Sequence, residues 1–329
     1  MKGEFLTNQT PCICCMCTSF YVQGEALGFD PPHQAHPLIH CAQCGLIRSI
    51  PLRTDAELSA FYPLSYYTDN QKKFIGFIEK IVAFASRRLA CDVIRHIRRN
   101  PISEKSRPFS VLEPGCGRGM LLKTFHGMGC ECYGLERPDF PSGEIDEGIR
   151  FSKGDIYNMP YKDESFDLVI LWYVLEHLSD PLTALLESRR VLKKGGIFLV
   201  AVPNIASWQA QWFGRDWFHL DVPRHTFEFS EQTLARLIEK AGLKAPEASS
   251  CAPMQSIFGF VQSVLNCLFG IKFFNRFFFK IKKCATAADY LELGVWFLFF
   301  FALAPVAFIE YVVTRRTKYS AFIKVYAHK

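Results

Sequence analysis

The sequence predicts an α/β protein. A mainly parallel sheet is covered on both faces, a small cysteine-bearing module precedes it, and an apolar helical insertion comes before its last strand. Three observations lead there. Short apolar runs alternate with helix-spaced runs over 109–253, and strands separated by helices build parallel sheets. Six of the 13 cysteines fall in the first 44 residues. The oiliest stretch, GVWFLFFFALAPVAFIEYVVTRR at 294–316, is followed by SAFIKVYAHK, whose alternation reads as a strand.

The totals fit this division. A chain of 329 residues holds one large domain or two ordinary ones. With 49% hydrophobic and 21% charged residues it is globular, and many of its 31 Phe lie after residue 254, which suggests an apolar region joined to a soluble body. Net charge is +6, with Lys and Arg clustered at 72–99 and 272–283. These runs flank apolar residues, which favours an anionic membrane surface over nucleic acid as partner; a solvated helix face accounts for them equally. The opening MKGEFLTNQTPCICC has no apolar run of the length a secretory signal needs. The thiols are therefore expected to stay reduced, and clustered reduced cysteines suggest metal.

Residues 1–68 read as the cysteine module. In CICCMC, Cys12/Cys15 and Cys14/Cys17 are overlapping C-x-x-C pairs, and HCAQCGL supplies Cys41/Cys44. Two such knuckles suit one tetrahedral zinc. The small residues after Cys17 ease a turn, so the expected ligands are Cys14, Cys17, Cys41 and Cys44, with Cys12 and Cys15 open as alternatives and free thiols as the plain one. Four protein ligands close the site, which makes the ion structural. His33, His36 and His40 are read as bystanders, and Tyr66 and Tyr67 as reaching toward the active-site mouth. Residues 69–108 form an amphipathic helix and linker. Phe74, Ile75, Phe77, Ile78, Ile81, Val82, Phe84, Leu89, Val93, Ile94 and Ile97 recur at helical spacing until NPISEKSRP breaks it.

The core follows over 109–253. FSVLEPGCGRG is a strand and glycine turn, MLLKTFHGMG a helix, CECYGLE a second strand and GIRFSKGD a third. SFDLVILWYVLEHL is a fourth strand running into a helix start, and DPLTALLESRRVLKKGG is a helix stopped by two glycines. IFLVAVPN is a fifth strand, SEQTLARLIEKAGL a helix from a Ser start to Gly242, and LKAPEASSCAP a sixth strand. Gly115, Gly117 and Gly119 let the backbone approach a ligand. Glu113 ends the first strand, Glu136 ends the second where a carboxylate can take ribose hydroxyls, and Asp155 ends the third where one can take an adenine amine. Ligands in open sheets bind at these carboxyl ends.

In VLEPGCGRG, YGLE, GDIYNMPY, SFDLVILWYVLEHLSDP and RVLKKGGIFLVAVPN the sequence resembles the class I S-adenosylmethionine-dependent methyltransferases. The resemblance implies a Rossmann-like seven-stranded sheet and S-adenosylmethionine as cofactor. It assigns the methionine part to Glu113, Gly115, Cys116, Gly117 and Gly119, the ribose to Glu136, and the adenine to Asp155 and Ile156, with Met159 near the adenine pocket. Pro114 stands where a small aliphatic residue is more usual and removes one backbone donor. CAQCGLIRSIPLRTDAELSAFYPLSYY resembles the zinc-ribbon front end of many methyltransferases of one subgroup.

On the acceptor side, Glu176 and His177 follow the fourth strand, where the methyl donor lies in such folds. A histidine there can take a proton from an attacking hydroxyl, or the pair only shapes the pocket. The stretch also resembles quinone-biosynthesis O-methyltransferases with a Glu, Glu, His metal set, but Tyr173 stands where the first Glu would be. NIASWQAQWFGRDWFHLDVPRHTFEFS then resembles a subgroup whose members serve surface-polysaccharide or lipid-linked glycan synthesis. It implies a binding lid in which Trp217, Asp221 and Arg224 face the acceptor, Arg224 suiting a carboxylate or phosphate, and His225 is a second candidate base. The plain alternative is that Pro223, Arg224 and His225 lock the loop before Ser230 caps a helix.

The last segment, 317–329, is expected to be the closing antiparallel strand, with Ser320–His328 in it. Residues 254–316 are then an insertion between the last two strands, and a single membrane crossing is excluded because the chain must return to the sheet. Leu293–Ile309 is uncharged, short for a span, bounded by Glu292 and Glu310 and kinked at Pro305. MQSIFGFVQSVLNCLFGIKFFNRFFFKIKK is amphipathic and suits an interface. A monotopic or re-entrant seat on the cytoplasmic face of the inner membrane is favoured over a two-span hairpin; a dimer interface or a cover over the sheet also fits. The reading is an O-methyltransferase of a small-molecule, lipid-linked or membrane-associated acceptor, a glycan before a prenyl-quinone, against a non-catalytic scaffold or a nicotinamide-dependent dehydrogenase. It needs no nucleic acid and leaves the oligomeric state undefined.

Overall fold

The computed structural model describes residues 5–7, 10–28, 33–62, 76–99, 108–140, 147–249, 252–270 and 287–329. Tyr66, Tyr67, Phe74, Ile75 and the basic run at 272–283 lie outside them.

The cysteine module is an antiparallel sheet of β1 (Phe5–Thr7), β2 (Ser19–Leu27), β3 (Ala35–Cys41) and β4 (Ile47–Ser49), followed by the short helix α1 (Asp55–Ser59). Thr54 caps α1 by accepting the Glu57 N–H while Glu57 accepts the Thr54 N–H, a capping box. Arg48 on β4 is buried, stacks 4.4 Å above the Phe20 ring and donates to the carbonyls of Thr10 and Pro11, which holds the chain just before Cys12. The sheet is not confined to the module. Its edge strand β10 (Phe227–Glu228) comes from the far end of the core and pairs antiparallel with β4.

Helix α2 (Gly76–Arg99) follows. Ala90, Val93 and Ile97, at helical spacing, are buried against Leu121, Leu122 and Phe125, while Phe84 faces outward. The main sheet contains β5 (Ser110–Pro114), β6 (Glu131–Glu136), β7 (Ile149–Lys153), β8 (Phe166–Trp172), β9 (Leu192–Pro203), β11 (Lys244–Ser249) and β12 (Phe322–His328), in the spatial order β11-β12-β9-β8-β5-β6-β7. Strands β5 to β9 are mutually parallel, and β12 lies antiparallel between β9 and β11. This is the seven-stranded Rossmann-like sheet the sequence led us to expect, with the C-terminal segment as its closing strand.

Helices α3 (Met120–His126), α4 (Pro181–Val191), α5 (Trp208–Phe213) and α6 (Glu231–Lys240) connect the strands. Ser230 caps α6 through a capping box with Thr233, and Gly242 follows it at φ +78°. One expectation fails: the glycines of LKKGG do not stop α4. The helix ends at Val191 and Leu192 is already extended, because it is fully buried and pairs with Phe166; Lys193–Gly196 then form an irregularity inside β9 before Ile197 pairs with Leu168.

The insertion between β11 and β12 comprises α7 (Pro253–Phe269) and α8 (Ala287–Thr314). On α8, Trp296, Ala307, Glu310 and Thr314 are buried, with Phe299, Phe300 and Leu303 partly covered, all on one helical stripe. Trp296 donates its indole N–H to Gln262 of α7. Glu310 does not bound an apolar span as expected: it is 5% exposed and accepts from the Gln209 amide at 2.9 Å, and that amide also donates to the Ser256 carbonyl. A carboxylate docked in this way can be carried inside an apolar helix. Pro305 lies inside α8, which runs continuously through it. Trp296→Ala is expected to cost about 3–5 kcal/mol through the cavity left between α7 and α8, seen as a lower denaturant midpoint for the full chain.

Candidate active site and cysteine cluster

The turn after β5 has a stereochemical requirement for glycine. Gly115 has φ +73°, and a Cβ there would lie 2.6 Å from Val174 Cγ2. Gly119, at φ +66°, starts α3. This bend opens a cavity of about 610 Å³ at the carboxyl ends of β5 to β8. Gly115, Glu136, Asp155, Ile156 and His177 line one side of it. Asp55, Leu58 and Ser59 of α1 and the nearby Tyr62 line the other, so the cysteine module's own helix walls the site.

The three strand-end acids differ in environment. Glu113 is 5% exposed, and its Oε2 has no hydrogen-bond partner among the described residues. Burial, reinforced by the neighbouring Glu136 charge, pushes its carboxyl up to about 8. Glu136 accepts the N–H of Gly117 at 2.7 Å and of Arg137 at 3.2 Å, yet burial still raises it. Asp155 accepts the Tyr157 N–H at 2.9 Å, which shapes the loop after β7. Cys116 is buried behind the turn with its thiol pushed up, mainly by burial, and a Cβ at Gly134 would touch its sulfur. Met159 does not line the cavity. It is 2% exposed in the core, drawn in because its N–H donates to Glu187 and its carbonyl accepts from Arg190.

The turn after β8 gathers ionisable groups. Leu175–His177 form one 3-10 turn. His177 Nδ1 lies 2.8 Å from the Tyr62 hydroxyl and 3.2 Å from the Arg224 carbonyl. The His225 ring is packed edge-on at 4.5 Å between centroids, and Glu228 Oε1 lies 3.9 Å from His225 Nδ1. Burial lowers His177 to about 4 and drives His225 well below its ordinary range, while it raises Glu176 to about 8 and holds Glu228 well above the ordinary carboxylate range. Both imidazoles are thus neutral near pH 7. A conjugate acid at about 4 holds a proton poorly, so His177 is a weak general base. Ligand atoms of Glu176, His177 and His225 lie within 4.8 Å of one another.

The lid residues behave differently from expectation. Trp217 does not face an acceptor; it is fully buried against Ala26, Leu38 and Ile47 of the module, where its large apolar surface glues module to core. Asp221 and Arg224 pair with each other, Nε to Oδ2 at 2.9 Å, which locks the loop instead of presenting a free guanidinium. Sequence reasoning missed Tyr62 and α1. The available signal was the capping box Thr54-x-x-Glu57 directly after the module, which marks a helix start.

The four thiols brought together are Cys12, Cys15, Cys41 and Cys44, all within 4.8 Å, with Cys12–Cys44 and Cys15–Cys41 each at 3.4 Å between sulfurs. Cys14 and Cys17, expected as ligands, fall outside this group: the Cys14 thiol turns to the Thr233 carbonyl while staying in hydrogen-bond reach of Cys12, and the Cys17 thiol turns to the Ser19 carbonyl. The reason is local: Cys12 N–H to Cys17 O and Met16 N–H to Cys12 O close a turn over 12–17 that sends Cys12 and Cys15 to one side. Two thiols from each knuckle are the donor set of a closed tetrahedral zinc site.

Strand order, glycine turn and strand-end acids are those of a class I S-adenosylmethionine-dependent methyltransferase core, and the sequence comparisons agree. A family model described as a methyltransferase domain matches residues 83–247, and the chain belongs to that family. It is 31% identical over 140 residues, 42% of this chain and 52% of the other, to a protein of Mycolicibacterium smegmatis named as an S-adenosylmethionine-dependent methyltransferase. It is 30% identical over 146 residues, 40% of this chain and 59% of the other, to the ubiquinone biosynthesis O-methyltransferase of Ruegeria sp.. The chain thus spans about half the length of these curated relatives. A solved S-adenosylmethionine-dependent methyltransferase of Archaeoglobus fulgidus is 17% identical, with a TM-score of 0.42 over 77% of this chain and 99% of that one.

The cysteine geometry makes a prediction that separates the two overlapping pairs. Cys12→Ser or Cys15→Ser is expected to lose bound zinc, whereas Cys14→Ser or Cys17→Ser keeps it, as read by metal content of the purified chain.

Proposed function

We propose that the protein is an S-adenosylmethionine-dependent O-methyltransferase acting on a membrane-borne acceptor, with the ion of the cysteine cluster as structural zinc. The cavity at the strand ends carries this reading. The Glu113 carboxyl, buried at the end of β5 next to the lining residues Pro114 and Gly115 and with its Oε2 unsatisfied among the described residues, would meet the cofactor's ammonium, with Glu136 toward the ribose and Asp155 and Ile156 toward the adenine. The intact acids argue against a non-catalytic scaffold. Transfer is in line: the acceptor oxygen attacks the methyl carbon and the C–S electrons return to sulfur, with proximity supplying much of the rate.

The insertion supports the choice of acceptor. Gly294–Thr314 is long and apolar enough to cross a membrane, with 17% buried. Its docked stripe argues instead for lying flat: α8 packs Trp296 on α7 and Glu310 on Gln209, and turns Phe297, Leu298, Phe301, Phe308, Ile309 and Val313 outward. Arg315, Arg316 and Lys318 follow, as suits an anionic surface. A lipid-linked glycan is the favoured acceptor. A prenyl-quinone is the second reading, favoured by the ubiquinone O-methyltransferases among the relatives. A knockout's lipid extract lacking one methylene unit on a glycan or on a quinone would decide between them.

Two measurements test the proposal. In the free protein Glu113 is protonated below about 8, and the cofactor's ammonium demands its carboxylate, so binding releases a proton. S-adenosylmethionine affinity, by calorimetry, is expected to rise from about pH 6 to about pH 7.5, below the ligand's own α-amino pKa. The slope should flatten in Glu113→Gln; absence of binding by the wild type removes the enzyme reading. Separately, the wild type should float with vesicles containing phosphatidylglycerol, and a Phe297→Ser/Phe301→Ser/Phe308→Ser variant should not. Wild type left at the bottom of the gradient contradicts the membrane seat.

A further inference from the structure

We infer that Glu176, His177, His225 and Glu228 form a divalent-cation site beside the cofactor cavity, distinct from the cysteine cluster. Three atoms of this group are buried without a hydrogen-bond partner: Glu176 Oε2, His225 Nδ1 and Glu228 Oε1. Their residues are 2%, 6% and 2% exposed. Buried unpaired acceptors each cost free energy, and three of them converging on two carboxylates and two imidazoles is the pattern a cation resolves. The ligand atoms of Glu176, His177 and His225 lie within 4.8 Å of one another, and Glu228 Oε1 is 3.9 Å from His225 Nδ1.

The surroundings also suit an ion. The Arg224 carbonyl at 3.2 Å from His177 Nδ1 favours the tautomer protonated there, leaving the Nε2 lone pair for a metal. His225 makes a backbone hydrogen bond with residue 219, which orients its ring. The Thr226 N–H donates to the Glu176 carbonyl at 2.8 Å, tying the two contributing segments together. The nearby cations are Arg137, stacked 4.9 Å over the Tyr62 ring, and Arg224, neutralised by Asp221. Mixed imidazole and carboxylate donors select a borderline ion such as zinc, cobalt, iron or manganese over magnesium.

His177 is the one member of the four that lines the cavity, so a further ligand would reach a bound ion from the cofactor's side. This inference rests on the O-methylation reading and deepens it. An acceptor hydroxyl on the cation would lose its proton to water more readily. Its oxygen then forms the O–CH3 bond as the S–CH3 bond breaks and the sulfonium becomes a thioether. Activation of the acceptor would then fall to the ion, and the two histidines would be its ligands.

The test is a cobalt(II) titration of the zinc-loaded full chain. One added cobalt per chain is expected, with visible d–d bands but no thiolate charge-transfer band, since the cysteine cluster is occupied. Glu176→Gln and His225→Ala should weaken that binding by at least about 10-fold while S-adenosylmethionine still binds, which shows the cavity intact. Cobalt appearing only with thiolate charge transfer, or binding unchanged in both variants, would overturn the site. S-adenosylmethionine binding by a zinc-loaded chain that takes up no cobalt leaves the methyltransferase reading standing and sinks the cation. Cobalt binding without S-adenosylmethionine binding does the reverse.

Discussion

The antiparallel seating of Phe322–His328 between two neighbouring strands is the constraint on which the rest of the molecule depends. Seven consecutive residues pair with Ile197–Pro203, and their flank at Ala321 is fixed by the Asn204 N–H. The Asn204 side-chain amide also donates to the carbonyls of Lys318 and Ser320. A strand held this way cannot be withdrawn without opening the sheet at its most buried point. Everything between Ser249 and Phe322 must therefore leave the sheet and come back to it. An apolar helix that would otherwise read as a tail anchor becomes part of a closed excursion.

A second joint binds the cysteine module to the chemistry. The pairing of Phe227–Glu228 with Ile47–Arg48 makes the segment after the lid an edge of the module's sheet. Tyr62 reaches His177, and Asp55 accepts from the backbone N–H and hydroxyl of Ser179. Trp217 fills the seam. The module is thus a wall of the cofactor cavity, and its thiol cluster, three residues before β4, sets the position of that wall. Cysteine cluster and cofactor cavity are coupled through one short strand pair.

Much of this was legible in the sequence, for definable reasons. The unbroken apolar run LVILW belongs to a central strand of the sheet, almost wholly buried, where such a run between turn signals is itself the strand signal, and the acids at 113, 136 and 155 are located by strand ends alone. The cysteine ligands were not separable, because overlapping C-x-x-C pairs have identical spacing and the choice rests on two backbone hydrogen bonds within 12–17. Trp217 looked like a binding aromatic because burial against a distant module leaves no local signature. The cluster of Glu176 with His225 and Glu228 joins residues about fifty positions apart through β10, a two-residue strand too short to show a pattern. Tyr173 in place of a carboxylate argued against metal on that turn, and only the folded chain brings in donors from elsewhere.

The insertion also holds the segment that leads to His225, whose ring packs on the cavity-lining His177. Helix α7 holds the 214–220 segment through three hydrogen bonds: Asn266 to the Asp216 carbonyl, the Phe218 N–H to Ser263, and His219 to the Gln255 carbonyl. Gly259 is required there, since any Cβ would collide with the His219 ring. That segment leads directly into Asp221, Arg224 and His225. The helix that presents an apolar face outward is packed on α7, so the position of the acceptor-side wall is set by the same pair of helices. Any load on the outward face of α8, such as the membrane contact proposed above, would therefore pass through α7 to Asp221, Arg224 and His225, and docking and site geometry would then be one structural problem.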